Sequence, residues 1–219
     1  MTTRIGFQES LGALRADVDW LGSLGAVAVE AATKALVSGN QVKAELVVAS
    51  DDEIDALFVT LEERAYALMA QQAPVAVDLR FLVSALRVMA DWERTGDLAV
   101  SLAKLALVDW EREIVALELL ADMAAIALEL IGAGRLAWRN KDLELAAALE
   151  GRDDALDERF RRLTVHLLSQ HGPDAGGLVF HALLAGRNLE RIADHAVAVG
   201  DRVVYMLTGD PRSLAAEIG

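Results

Sequence analysis

The residues of this chain best suited to chemistry are acidic and occur as pairs whose members are four positions apart. The pairs are Asp51 and Asp55, Glu93 and Asp97, Asp153 and Asp157, and Glu190 and Asp194. Residues four apart lie on one face of a helix, so the two carboxylates of each pair repel each other. Hard cations prefer carboxylate oxygens, and metal-binding helical bundles present acids at this spacing. The pattern therefore favours a protein that binds metal ions through carboxylates.

The acidic pairs recur in the same order in both halves of the chain. Gln72-Ala73-Pro74 in the first half corresponds to His171-Gly172-Pro173 in the second, and each follows an acidic pair. Glu93-Arg94-Thr95-Gly96-Asp97 likewise corresponds to Glu190-Arg191-Ile192-Ala193-Asp194. Self-similarity of this kind indicates an internal structural repeat.

Helical periodicity dominates the elements that must position these acids. It predicts six long helices, over 7–38, 41–72, 75–107, 113–139, 142–170 and 176–207. No stretch alternates in the way that is typical of strands. Together with the repeat, this predicts an all-α fold of two tandem, pseudo-symmetric three-helix bundles, comprising residues 1–108 and 109–219, whose packing against each other need not be tight.

A helical wheel places the acids of the third and sixth helices in the apolar sector. Asp97 falls about 40° from Glu93, and the pair shares its sector with buried-type residues such as Leu82 and Met89. The sixth helix repeats this arrangement with Glu190 and Asp194. Uncompensated carboxylates there would be costly, so these four acids are predicted to be direct metal ligands. Asp51 and Asp55 of the second helix and Asp153 and Asp157 of the fifth would complete the two sites.

Pairing with arginine is a simpler interpretation of any single acidic pair, and the spacing leaves it open. The available partners are Arg64, Arg80, Arg94, Arg187 and Arg191. A structural helical adaptor without metal would result. Only the doubling of the pairs at matched positions favours metal over this alternative.

Composition excludes several classes of protein. Lys and Arg number 21 and Asp and Glu 34, for a net charge of −13, which argues against nucleic acid and anionic lipid as partners. The chain has no cysteine, so any metal must be bound by oxygen or imidazole. Residues 1–9 lack the apolar region of a signal peptide, and no uninterrupted apolar run reaches the length of a membrane span. A cytoplasmic protein that does not insert into membranes is expected.

An enzyme is the weaker functional hypothesis. Di-metal hydrolases and oxidases in helical bundles usually contain Glu-x-x-His, but here Gly96 and Ala193 occupy the histidine positions. No nucleophile and base are recognisable, so we expect no catalysis. His195 follows Asp194 and is a candidate for a local hydrogen bond or a ligand. The remaining histidines are predicted to be structural, and the four tryptophans to lie in the core or at helix interfaces.

The repeated motifs resemble those of the PhoU family, the bacterial phosphate-uptake regulators. The resemblance covers about residues 5–207 and is carried by the segments 72–80, 93–97 and 188–195. It implies two three-helix bundles whose acid-x-x-x-Asp motifs line a face that binds multinuclear metal, with iron, zinc, manganese or magnesium as the ion. It also implies an adaptor that links the ATPase subunit of a phosphate ABC transporter to a sensor histidine kinase and negatively regulates the phosphate-starvation response.

The chain departs from strict symmetry beside its motifs. Asp201 extends the acidic stripe of the sixth helix, whereas Lys104 occupies the corresponding position in the first half. We therefore expect the two sites to differ in occupancy. A homodimer is also expected; Trp110 and Trp138, near helix ends, are candidates for its interface, and a core role for both is the alternative.

Overall fold

The computed structural model describes residues 2–72, 74 and 76–211, and these residues form eight helices without a strand. The helices are α1 (Thr2–Ser38), α2 (Gln41–Ala49), α3 (Asp51–Gln72), α4 (Val77–Ala106), α5 (Ile114–Asn140), α6 (Leu143–Ala147), α7 (Leu149–Leu168) and α8 (Ala175–Thr208). They correspond to six helical rods, because α2 continues into α3 and α6 into α7. The all-α fold class predicted from the sequence is confirmed.

The second and fifth predicted helices are each divided, which the sequence analysis missed. Ser50 separates α2 from α3, and Ala148 separates α6 from α7. Neither break contains a proline, and both residues keep right-handed helical backbone angles. The first break has a consequence for the site, because α3 now begins at Asp51. The helix dipole favours a carboxylate in that first turn.

Matching caps start the divided rods in the two halves. Asn40 accepts a hydrogen bond from the Lys43 amide at 3.0 Å, and Asp142 accepts one from the Leu145 amide at 3.0 Å. Each side chain satisfies an amide that the first helical turn leaves without a partner. The repeat seen in the sequence therefore extends to local hydrogen bonding.

The hydrophobic core runs through both halves rather than forming two separate cores. Helices α1 and α4 of the first half pack against α5 and α8 of the second, with α3 and α7 on the outside. Trp92 and Trp138 are fully buried, and Trp138 stacks on Phe81 across the halves with ring centroids 5.6 Å apart. The two halves therefore pack closely against each other, which the sequence left open. The division near residues 108 and 109 falls between α4 and α5 and stays a prediction.

Polar contacts also join the halves. Asp19 on α1 is buried and accepts a hydrogen bond from Arg135 on α5 at 3.1 Å, with Arg139 3.5 Å away. The Trp138 indole donates to the Arg15 carbonyl at 3.1 Å. These contacts join α1 to α5, and those two helices pack against α4 and α8, which carry four of the acids.

Helix α1 was not anticipated as a possible span. From Ile5 to Ser38 it is long and apolar enough to cross a membrane by length and composition alone. Half of its most apolar window is buried inside the protein, as in the core helices of soluble proteins. Its apolar character is accounted for by the packing of α1 on α4 and α5.

Candidate carboxylate sites

The acids of the first half gather where α3 packs against α4. We call Asp51, Asp55, Glu93 and Asp97 the first carboxylate cluster. The pKa of Asp51 is raised by burial and then by the charges of Asp55 and Asp97. The pKa of Glu93 is raised by burial and then by Asp97 and Asp55. Carboxylates of the two helices therefore raise one another's pKa.

The second half repeats this arrangement between α7 and α8. We call Asp153, Asp157, Glu190 and Asp194 the second carboxylate cluster. Burial, followed by the charges of Asp194, Asp157 and Glu190, raises the pKa of Asp153 to about 6. The pKa of Asp194 is raised by desolvation and then by Glu190. Such mutual destabilisation is what a bound cation would relieve.

Two corresponding carboxylate oxygens are buried without a hydrogen-bond partner. They are Oδ1 of Asp51 and Oδ1 of Asp153, which occupy matched positions in the two clusters. A buried acceptor without a partner is destabilising, and in native proteins it often marks an ion or water site. The same feature in both halves singles out these two positions.

Arginine pairing accounts for little of either cluster. Within the described ranges, Glu190 is the one cluster member with an ion-pair partner, and that partner is Arg187, three residues earlier on α8. Arg64 pairs instead with Asp17, and the Arg80 guanidinium contacts the Met206 carbonyl at 3.5 Å. The interpretation in which arginines neutralise all the acids therefore lacks most of its contacts.

The acids of α4 and α8 lie at the edge of the buried face rather than within it. Glu93 and Glu190 are half-buried, whereas Asp97 and Asp194 are exposed at the rim. The helical wheel predicts that all four acids lie in the apolar sector, but the side chains of Asp97 and Asp194 are more exposed than that prediction implies. The helices of each half leave one side of the cluster open to solvent, so an ion could enter from that side.

The donor set suits a hard cation, but the carboxylates are not drawn together as a closed site. Across residues 2–72, 74 and 76–211, no three acidic or histidine side chains are grouped closely enough to hold a metal ion. The carboxylate oxygens and the unpartnered Oδ1 atoms fit ions such as magnesium, manganese, iron or zinc in donor type. Binding would need the side chains to rotate toward a common point, which the open side permits.

His195 on α8 joins the two halves of the chain by a contact with α4. Its Nδ1 lies 3.1 Å from Oδ1 of Asp91 on α4. His166 contacts Glu113, the N-cap of α5, at 2.8 Å, and His181 stacks on Trp110. The structural role predicted for these last two histidines fits their contacts.

The tryptophans follow the prediction with one exception. Trp92 and Trp138 are fully buried and Trp110 nearly so, which leaves Trp110 and Trp138 no surface for a dimer interface. Trp20 was expected in the core or at a helix interface of the chain, but its side chain is 56% exposed.

A pocket beside the first carboxylate cluster was missed by the sequence analysis. It lies between α4 and α8 and is lined by Arg94, Lys104 and Arg191 together with Asp51 and Asp97. The repeated Glu-Arg dipeptide was a signal for it. From the sequence, those arginines are predicted only to pair with nearby acids, because the contact of α4 with α8 has no signal in the local sequence.

Fold and site together define an all-helical protein with two corresponding carboxylate clusters, one in each half of a repeated chain. Residues 18–106 and 120–203 match the PhoU domain. The phosphate-specific transport system accessory protein PhoU homolog 1 of Mycobacterium tuberculosis is 37% identical over 212 residues, covering 94% of this chain and 95% of the relative. The homolog 1 of Thermotoga maritima is 32% identical, covering 95% and 92%.

A solved structure shows the same architecture. The crystal structure of PhoU from Pseudomonas aeruginosa superposes with a TM-score of 0.85 at 26% identity, covering 93% of this chain and all of that one. The chain belongs to the PhoU family. The resemblance inferred from its motifs is thereby confirmed.

Proposed function

We propose that this chain is a phosphate-signalling adaptor whose two carboxylate clusters bind metal ions. The observation that carries the metal part is the matched pair of buried, unpartnered oxygens, Asp51 Oδ1 and Asp153 Oδ1. Glu93, Asp97, Glu190 and Asp194 would be direct ligands, with Asp55 and Asp157 completing the sites. The ion is iron, zinc, manganese or magnesium, all of which accept carboxylate oxygen.

The adaptor role rests on the names of the relatives, which describe accessory proteins of a phosphate-specific transport system. We propose that this chain binds the ATPase subunit of a phosphate ABC transporter and a sensor histidine kinase. Through them it negatively regulates the phosphate-starvation response and modulates phosphate uptake when phosphate is plentiful.

The chain's properties suit a cytoplasmic partner of membrane complexes. Its net charge of −13 disfavours nucleic acid and anionic lipid, so neither is proposed as a partner. No membrane insertion is proposed, since α1 packs between α4 and α5. A homodimer is proposed as well, with an interface that does not involve Trp110 or Trp138.

Catalysis is not part of the proposal. The relatives are named as accessory proteins, and the alternative of a metal-dependent helical-bundle hydrolase or oxidase has no support from them. Metal-dependent turnover of a phosphoester that Glu190→Ala abolishes would overturn this part.

Affinity purification of the tagged chain tests the adaptor role directly. We expect the transporter ATPase, the sensor kinase or both to be recovered from cells grown with ample phosphate. Deletion of the gene should raise expression of phosphate-starvation genes in the same medium. Recovery of neither partner, together with unchanged expression after deletion, would contradict the proposal.

A further inference from the structure

The pocket between α4 and α8 has a volume of about 400 Å³ and joins the two halves of the molecule. Three cationic side chains line it: Arg94 and Lys104 from α4 and Arg191 from α8. The Ser101 hydroxyl also lines the pocket, and Asp51 and Asp97 of the first carboxylate cluster form part of its wall.

Within the described part of the chain, the three cations of this pocket form no close ion pairs. Among the residues that the structure describes, none of Arg94, Lys104 and Arg191 has a carboxylate oxygen within 4.0 Å. Asp51 and Asp97 share the pocket wall, so the lining carries three positive and two negative charges, and an anion would stabilise the excess of positive charge.

The chemical type of the donors selects the kind of anion. Arg94 and Arg191 occupy corresponding positions of the two repeated motifs, and their helices pack against each other. Guanidinium groups bind oxyanions through two parallel hydrogen bonds, and a lysine adds a compact charge. Two guanidinium groups, one ammonium and one hydroxyl line the pocket, and this set of donors suits a tetrahedral oxyanion with several acceptor oxygens.

The second half of the chain lacks the same combination. Asp201 occupies the position that corresponds to Lys104, and Ala198 the position that corresponds to Ser101. An acid and a methyl group there replace an ammonium and a hydroxyl donor. Among the described residues, the corresponding positions of the second half therefore do not offer this donor set, and the pocket adjoins the first carboxylate cluster alone.

We propose that this pocket binds one phosphate-type oxyanion per chain, and that a metal ion on the first carboxylate cluster strengthens the binding. Asp51 and Asp97 repel an anion, and a cation bound between them removes that repulsion. Because coupling between two sites is reciprocal, the oxyanion should strengthen metal binding by the same factor. The anion site itself rests on the three cations, and only its enhancement rests on the proposed metal function.

Calorimetric titration of the whole protein tests this inference. Orthophosphate is titrated at low ionic strength, first with chelator and then with magnesium. ATP in a separate titration distinguishes free phosphate from the phosphate groups of a nucleotide. We expect one site per chain for one of the two ligands, with at least threefold tighter binding in magnesium.

Charge-removing variants locate the site. Arg94→Gln and Arg191→Gln should each weaken binding about ten- to a hundredfold, because each removes charge-assisted hydrogen bonds to the anion. Lys104→Asp, which reproduces the residue of the second half, should abolish binding. Arg162→Gln is the matched control, since Arg162 is an exposed arginine on α7 that does not line the pocket. It should bind as the wild type does.

Two results would overturn the inference. One is no binding of orthophosphate or ATP at millimolar concentration with and without magnesium. The other is binding that Arg94→Gln and Arg191→Gln leave unchanged while melting curves show both variants folded. A metal-induced rise in melting temperature that persists alongside either result would leave the proposed metal function intact. Anion binding without any such rise would overturn the metal function and the enhancement, and leave only the anion site.

Discussion

Replacing Asp153 by asparagine tests whether the second carboxylate cluster stores electrostatic repulsion. Burial and the charges of four neighbouring acids, of which Asp154 has the smallest effect, raise the pKa of Asp153 from 3.8 to about 6. One pKa unit corresponds to about 1.4 kcal/mol, so two units would cost about 3 kcal/mol in a dry site. Asp153 is only half-buried, and solvent screening reduces the cost at pH 7 to about 1 kcal/mol. In chelator at pH 7, Asp153→Asn should be more stable than the wild type by about that amount.

The pH dependence distinguishes electrostatic repulsion from a simple change in packing, because only repulsion makes the stability difference change with pH. A carboxyl group whose pKa is higher in the folded protein than in the unfolded chain binds more protons when folded between about pH 4 and pH 6. The wild type should therefore gain stability as the pH falls through that window, and Asp153→Asn should lose its advantage near pH 4. Urea denaturation across this range, with chelator present, measures the difference.

Controls complete the experiment. Asp154→Asn changes the exposed neighbouring acid and should alter the free energy of unfolding by less than about 0.5 kcal/mol. Added manganese should stabilise the wild type more than Asp153→Asn, because a bound cation relieves the repulsion and uses Asp153 as a ligand. A variant that is less stable than the wild type in chelator at pH 7, or a difference that does not change with pH, would refute the reasoning.

Three further substitutions probe the rest of the structure. Arg187→Gln removes the cation that pairs with Glu190. Calorimetry should then show that metal binds the second carboxylate cluster about two- to fivefold more tightly. Weaker binding would contradict the account. Asp19→Asn strands the Arg135 charge between the halves and should lower the free energy of unfolding in urea by about 2 kcal/mol; no change would show that this contact contributes nothing. Gly200→Ala would place a Cβ 2.8 Å from a backbone carbonyl oxygen of α6. The melting temperature should therefore fall, by an amount that corresponds to a loss of about 1–3 kcal/mol in the free energy of unfolding. An unchanged melting temperature would refute the close packing of α6 on α8.

The helical periodicity and the internal repeat predicted the all-α fold and the six helical rods. They did not predict the two breaks within the second and fifth rods. Ser50 precedes Asp51-Asp52-Glu53 in the pattern of a capping box, a local signal that could have placed the start of α3. Ala148 offers no comparable signal. The second break lies where Leu149 approaches Gly200 closely, and such a contact between α8 and the fifth rod cannot be read from local sequence.

The carboxylate sites were predictable to the extent that they depend on spacing within one helix. Spacing of four residues placed the acids of each pair together, and the repeat indicated which helices should meet. Their depth depended on how the neighbouring helix packs, so Asp97 and Asp194 lie nearer to solvent than the wheel indicated. The pocket lined by Arg94 and Arg191 forms only because α4 packs against α8. This tertiary contact leaves no periodic pattern in the sequence, so the pocket was not predictable.

Anomalous diffraction from crystals grown with manganese tests the central claim most directly. Metal bound by the two carboxylate clusters should give anomalous peaks within about 2.5 Å of oxygens of Asp51, Glu93 or Asp97 and of Asp153, Glu190 or Asp194. Crystals of the Asp51→Asn, Asp97→Asn double variant should lose the first set of peaks and keep the second. Absence of peaks at both clusters in the wild type, or peaks only at other surface acids, would contradict the account.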